Sequence, residues 1–208
     1  MANWMKKVYN AEGVTEYPAG PNLRHLIDKF GGSGAVVLCI DVSGSMGGDR
    51  LGEAKKGGTG FINDAAGGGY QVGLILWNHT IADFIPPTAG VANVQRKLDA
   101  AVASGATELA PALKLAHSML MAVDVTDRVC VVFTDGSLMD QDEAERAASL
   151  LKADGIRILT MGLGNTAAHG LAGIANDDTP TTTTTSAETL AGDMQRMATG
   201  LAASKKRK

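Results

Sequence analysis

An apolar, β-favouring run, Ala35–Ile40, is followed by three oxygen-bearing side chains. They are Asp41, Ser43 and Ser45, spaced two residues apart. This spacing lets one short loop direct all three side chains at one point, and nearby glycines permit the tight backbone that such a loop needs. In an open α/β sheet, ligands bind just beyond the carboxyl ends of the strands. Three hard oxygen donors at that place suit Mg²⁺, with Mn²⁺ or Ca²⁺ as alternatives.

The segment Asp41–Met46 resembles the D-x-S-x-S signature of the von Willebrand factor type A (VWA) domain, which builds a metal-ion-dependent adhesion site (MIDAS). The resemblance implies two further ligands from later loops. Thr107 stands in Gly105–Leu109, which is similar to the family's G-G-T-x-L loop except for alanine at its second position. Asp135 stands in Phe133–Gly136, which is similar to the family's T-D-G. The complete ligand set implied is Asp41, Ser43, Ser45, Thr107 and Asp135.

The resemblance covers residues 35–200 and implies a doubly wound, mostly parallel, six-stranded Rossmann-like sheet. Its implied order is 3-2-1-4-5-6, with one antiparallel edge strand and helices on both faces. The residue patterns themselves predict alternating strands and helices, as expected for such a sheet. After the first apolar run, strands are predicted at Tyr70–Asn78, His79–Ile85, Asp127–Thr134 and Gly155–Gly162. The threonine run Thr181–Thr185 suggests a linker by composition, but threonine favours strands and the resemblance implies the last, edge strand at Thr181–Ser186. Helices are predicted at Asp49–Ala66, Val91–Val102, Glu108–Ala122, Asp140–Ala153, Thr166–Ala175 and Ala187–Ala203.

Domain boundaries follow from these patterns. Residues 1–34 are expected to form an N-terminal extension packed on the domain, residues 35–203 the VWA domain, and residues 204–208 a disordered basic tail.

Four glycines inside the predicted helix Asp49–Ala66 should each weaken it by up to about 1 kcal/mol relative to alanine. Either tertiary packing holds this helix, or its glycines let the adjacent loop shift on ligand binding, and the sequence does not separate these alternatives.

Charge and composition make some classes of function unfavoured for this chain. A net charge of −3 makes nucleic-acid binding an unfavoured function for the whole chain. Cys39 and Cys130 lie in apolar strands and are expected to be buried, reduced thiols. The N-terminus lacks the apolar region of a signal peptide, and no apolar run approaches the ~18 residues of a membrane span. These features predict a cytoplasmic protein with no membrane partner.

The resemblance implies metal-bridged protein recognition, with the carboxylate of an Asp or Glu from a partner completing the coordination of the ion. Intracellular relatives often work in multiprotein complexes, some with ring ATPases, so such a complex is one expected setting. We therefore expect a non-enzymatic binding module. One alternative is a metal-dependent hydrolase, for which Glu108, beside Thr107, is the nearest candidate base. The other is a structural scaffold in which the metal only holds loops together.

Overall fold

The computed structural model describes residues 34–176, 182–184 and 186–205. The predicted N-terminal extension lies outside the described residues except for Gly34, which begins the first strand. The last helix continues to Lys205 and so takes in the first two residues of the predicted tail, whereas residues 206–208 lie outside the described part.

The sheet is mostly parallel. Its strands are β1 (Gly34–Asp41), β2 (Tyr70–Trp77), β3 (Ile81–Ile85), β4 (Asp127–Thr134), β5 (Arg157–Leu163) and the short β6 (Thr182–Thr184). Strand β1 pairs in parallel with both β2 and β4, β5 extends the sheet beyond β4, and β3 is antiparallel to β2. The predicted order 3-2-1-4-5 and the antiparallel edge strand are confirmed.

The last strand is described in part. Within the predicted strand Thr181–Ser186, the described residues Thr182–Thr184 pair in parallel with Met161–Leu163 of β5. The predicted start of another strand moves because a local bond forms a turn. Strand β3 begins at Ile81, not His79, since the Asn78 amide donates to the Thr80 carbonyl at 3.0 Å.

Helices cover both faces of the sheet. They are α1 (Asp49–Gly67), α2 (Val91–Asp99), α3 (Ala110–Met121), α4 (Gln141–Ala153), α5 (Asn165–Leu171) and α6 (Ala187–Lys205). One apolar core lies between the sheet and α1, α2 and α6, and the other lies between the sheet and α3, α4 and α5. Helix α5 ends at Leu171, short of the predicted Ala175, because a tighter turn with a bond from Ile174 N to Leu171 O follows.

The two cysteines meet across the sheet centre. Cys39 on β1 and Cys130 on β4 are both buried and free, with their Sγ atoms 3.9 Å apart. The hydrogen bond with Cys130 and burial raise the pKa of the Cys39 thiol well above its usual value. The predicted pair of buried, reduced thiols is confirmed.

Two glycines of α1 permit close packing of this helix. A Cβ atom added at Gly57 would lie 2.8 Å from Met194 Sδ and 2.9 Å from Ala191 Cα of α6. A Cβ atom at Gly58 would lie 2.7 Å from Leu98 Cδ2 of α2. Tertiary packing therefore requires these two glycines in a helix that they weaken locally.

This packing predicts opposite effects for two Gly→Ala substitutions in the same helix. Gly57→Ala should lower the free energy of unfolding by about 1–3 kcal/mol, because α1 and α6 must move apart. Gly52→Ala should raise it by up to about 1 kcal/mol, since its Cβ atom would meet nothing within 4 Å. Urea denaturation of both variants measures the difference. Stabilisation by Gly57→Ala would contradict the packing account.

Candidate metal centre

The centre lies where neighbouring strands end. Asp41 is the last residue of β1, and Asp135 directly follows β4. Because these two strands are parallel neighbours, both carboxylates reach the same edge of the sheet. Asp41 is fully buried, and so is the side chain of Asp135.

A continuous chain of hydrogen bonds joins three of the predicted ligands. Ser45 Oγ donates to Asp135 Oδ1 at 2.7 Å, and Ser43 Oγ lies 3.1 Å from Ser45 Oγ. Because a serine hydroxyl carries one hydrogen, Ser43 must be the donor to Ser45. Ser43 retains two lone pairs and Ser45 retains one, so both hydroxyl oxygens can still bind a cation.

Asp41 is held by donors on both oxygens. The Ser43 amide donates to Oδ1 at 2.7 Å, and Thr134 Oγ1 donates to Oδ2 at 2.5 Å. Burial raises the pKa of Asp41, hydrogen bonds from Thr134 and Ser43 oppose that shift, and the nearby charge of Asp135 adds to it. The charge of Asp135 therefore lies close enough to raise the pKa of Asp41, an effect that a bound cation would relieve.

Thr107 approaches from the second site loop, residues 104–107. A Cβ atom added at Gly136 would lie 3.6 Å from Thr107 Oγ1 and 3.8 Å from Ser45 Oγ, so these two hydroxyls face the same small space. Backbone bonds tie this loop to the first one: the Gly44 amide donates to the Gly105 carbonyl at 2.9 Å. The structure thus brings all five predicted residues to one place.

Two positioning residues were missed in the sequence. Buried Asn78 follows β2, and its Nδ2 donates to the Ser104 carbonyl at 2.8 Å, which holds the second site loop. Asp140 accepts from the Leu109 and Ala110 amides at 2.8 and 2.7 Å. Because Asp140 holds these amides, α3 begins at Ala110 and not at the predicted Glu108. The sequence does contain one signal for the role of Asn78, because it is a polar residue at the end of an apolar strand.

A third missed residue, Arg50, lies in the first turn of α1. Its Nη1 donates to Asp135 Oδ2 at 2.7 Å and to the Ser45 carbonyl at 3.3 Å. The two oxygens of Asp135 therefore have different partners, a neutral hydroxyl on Oδ1 and a guanidinium on Oδ2. No sequence signal marked Arg50, since a charged residue in an exposed first turn is common.

Of the other titratable candidates, His79 packs against the second site loop, since a Cβ atom added at Gly105 would lie 2.5 Å from His79 Nδ1. His117, predicted on a helix surface, has its Nε2 2.6 Å from Asp154 Oδ2. Glu108 donates its amide to the Asn78 carbonyl at 2.9 Å. Within the described part of the chain, no hydrogen bond joins the Glu108 carboxylate to the five predicted ligands.

Comparison with protein families finds one match. Residues 36–137 match the family model described as the von Willebrand factor type A domain, a range that includes all five predicted ligands. This match and the solved structures support a VWA domain. No curated protein matches the chain.

Solved VWA structures share the fold at low identity. A von Willebrand factor type A protein from Catenulispora acidiphila is 20% identical with a TM-score of 0.70, and the match covers 80% of this chain and 42% of that one. Proximal thread matrix protein 1 from the mussel byssus, with a zinc-occupied MIDAS, is 18% identical with a TM-score of 0.70. The match covers 86% of this chain and 50% of that one. This chain thus spans about half the length of these two proteins.

A third structure is matched over nearly its whole length. The vWF domain of the type V pili tip protein Mfa5 from Porphyromonas gingivalis is 16% identical with a TM-score of 0.71, and the match covers 82% of this chain and 95% of that one. At these identities the likeness concerns the fold alone.

The donor set of the candidate centre fits a hard divalent cation. It consists of two carboxylates and three hydroxyls, all oxygen donors of the kind that Mg²⁺ and Ca²⁺ take. In the described residues, no group of three or more His, Cys, Asp or Glu side chains could hold a metal. An ion bound at this centre would therefore depend on the serine and threonine hydroxyls.

Thr134 should be important for the stability of the centre, because its buried hydroxyl is a donor to Asp41. Thr134→Val keeps the side-chain shape but removes this bond, and we expect a loss of about 2 kcal/mol in the free energy of unfolding. Urea denaturation measures this free energy. The matched control is Thr126→Val at an exposed position, whose free energy of unfolding should be within about 0.5 kcal/mol of the parent value. Equal effects of the two substitutions would contradict the role given to Thr134.

Proposed function

We propose that this chain is a divalent-metal-dependent protein-binding module whose VWA domain uses a MIDAS. In this proposal Asp41, Ser43, Ser45, Thr107 and Asp135 hold Mg²⁺, with Mn²⁺ or Ca²⁺ as alternatives. The observation that carries the proposal is the convergence of these five side chains from three loops at one sheet edge. The zinc-occupied MIDAS of the mussel protein supports metal binding at such a centre in a related fold.

The chemistry of the five side chains favours recognition of a carboxylate. Three of the five donors are neutral hydroxyls, and the ion keeps electrophilic character where water separates a carboxylate from it. Mg²⁺ takes six oxygen ligands in near-octahedral geometry. Five side chains, some acting through water, leave a coordination position for an oxygen from outside. An Asp or Glu of a protein partner is the natural ligand there, because it adds both an oxygen and a negative charge.

The module is proposed to be non-enzymatic. A hydrolase would need a base or nucleophile beside the ion. His79 packs against Gly105 of the second site loop, but no described hydrogen bond joins it or the Glu108 carboxylate to the five ligands. A cytoplasmic setting, including a complex with a ring ATPase, stays a prediction. No helix among the described residues is long and apolar enough to cross a membrane.

Calorimetric titration of Mg²⁺ into chelator-treated protein tests the metal site. We expect saturable one-site binding, weakened at least about tenfold by Thr107→Val, which removes one oxygen donor without changing the side-chain shape. Exposed Ser137→Ala is the control, since it removes a hydroxyl from the same edge of the sheet but outside the five ligands. Absence of binding in the parent protein, or equal binding by the Thr107→Val variant, would refute the proposed site.

The same titration, repeated with acetate, tests carboxylate recognition. A carboxylate that binds the protein-bound ion must tighten metal binding by the same factor, because the two equilibria are linked. Acetate should therefore raise the affinity for the ion, after correction for acetate binding to free metal. Acetamide, which has a similar shape and no charge, should not. Equal effects of the two compounds would argue for a structural metal and against adhesion.

A further inference from the structure

Arg50 places a permanent positive charge on the candidate metal centre. Its guanidinium reaches back from α1 over the first site loop to Asp135 Oδ2, and a second contact to the Ser45 carbonyl fixes its position. An ion pair between two exposed side chains would have little energetic effect. Here the Asp135 side chain is fully buried while that of Arg50 is 51% exposed, so solvent screens this pair less than an ordinary surface pair.

The formal charges show what Arg50 changes. Asp41 and Asp135 together carry two negative charges, which would neutralise a divalent ion completely. With Arg50 paired to Asp135, the three side chains together carry only one negative charge. A bound divalent ion then leaves the centre with one net positive charge. The guanidinium and the metal ion also compete for the electron density of the same carboxylate.

We propose that Arg50 is a specificity-determining residue of this centre, an inference that rests on the proposed metal-binding function. Arg50 weakens the binding of the divalent ion. It also gives the loaded centre a net positive charge that selects an anionic ligand, the carboxylate of an acidic partner segment. Metal occupancy thereby becomes more dependent on the partner, since the partner's carboxylate supplies the negative charge that Arg50 has neutralised.

The half-exposed position of Arg50 suits this role. In the described part of the chain only Nη1 makes hydrogen bonds, and a guanidinium carries five N–H donors. The remaining donors can reach an acidic side chain that approaches the ion from solvent. Arginine binds carboxylates through two parallel hydrogen bonds, a geometry that lysine cannot reproduce.

Calorimetric titration of Mn²⁺ into the parent protein and into Arg50→Gln and Arg50→Lys variants tests the charge effect. Arg50→Gln should bind Mn²⁺ about tenfold more tightly than the parent, as expected for removal of a nearby like charge. Arg50→Lys, which keeps the charge, should remain within about threefold of the parent. Arg146→Gln removes an exposed positive charge from α4 and should leave Mn²⁺ binding unchanged. Thermal unfolding followed by circular dichroism confirms that each variant is folded.

Repeating these titrations with acetate tests the selection of an anion. The factor by which acetate tightens Mn²⁺ binding should be smaller in Arg50→Gln than in the parent. Equal or weaker Mn²⁺ binding by Arg50→Gln, or an unchanged acetate effect, would overturn the role of Arg50 while leaving the metal site intact. Absence of Mn²⁺ binding in the parent and in every variant would refute the metal site itself, and this inference with it.

Discussion

Two carboxylates, Asp41 and Asp135, are buried at the ends of adjacent parallel strands, and their burial is the constraint that shapes this site. Ionised carboxylates are costly to bury unless donors or cations surround them. Thr134, Ser43 and Ser45 supply hydroxyl or amide donors, and Arg50 supplies a fixed positive charge. A divalent cation bound as we propose would add to this compensation and would therefore stabilise this edge of the sheet.

Hydrogen bonds within the protein hold the loops around the carboxylates together without the help of a ligand. Val42 and Gly44 of the first loop bond through their backbones to Ser104 and Gly105 of the second. Asn78 holds the second loop from β2, and the Met139 amide donates to the Thr107 carbonyl. Since these links join three segments, the five oxygen donors are preorganised, which reduces the entropy lost when a ligand binds.

The order of the five longer strands was implied by the resemblance to the VWA family and is confirmed. The five candidate ligands rest on the same resemblance, and their binding of a metal stays a prediction. Apolar runs that end in a polar loop predict strands and sites together. Contacts between distant segments were not predictable: Asn78, Asp140 and Arg50 act on residues up to 85 positions away. The glycines of α1 show the same limit, since only the position of Met194 explains why Gly57 must lack a side chain. In the threonine run, the described residues Thr182–Thr184 pair with β5, where the resemblance implied the last strand.

A crystal structure of the protein soaked in Mn²⁺, with anomalous diffraction data, tests the central claim most directly. The account predicts one strong anomalous peak between the hydroxyl oxygens of Ser43, Ser45 and Thr107, with Asp41 and Asp135 bound to the ion directly or through water. A peak at another place, or no peak at this edge of the sheet with saturating Mn²⁺, would contradict the assignment of these five residues as a metal centre.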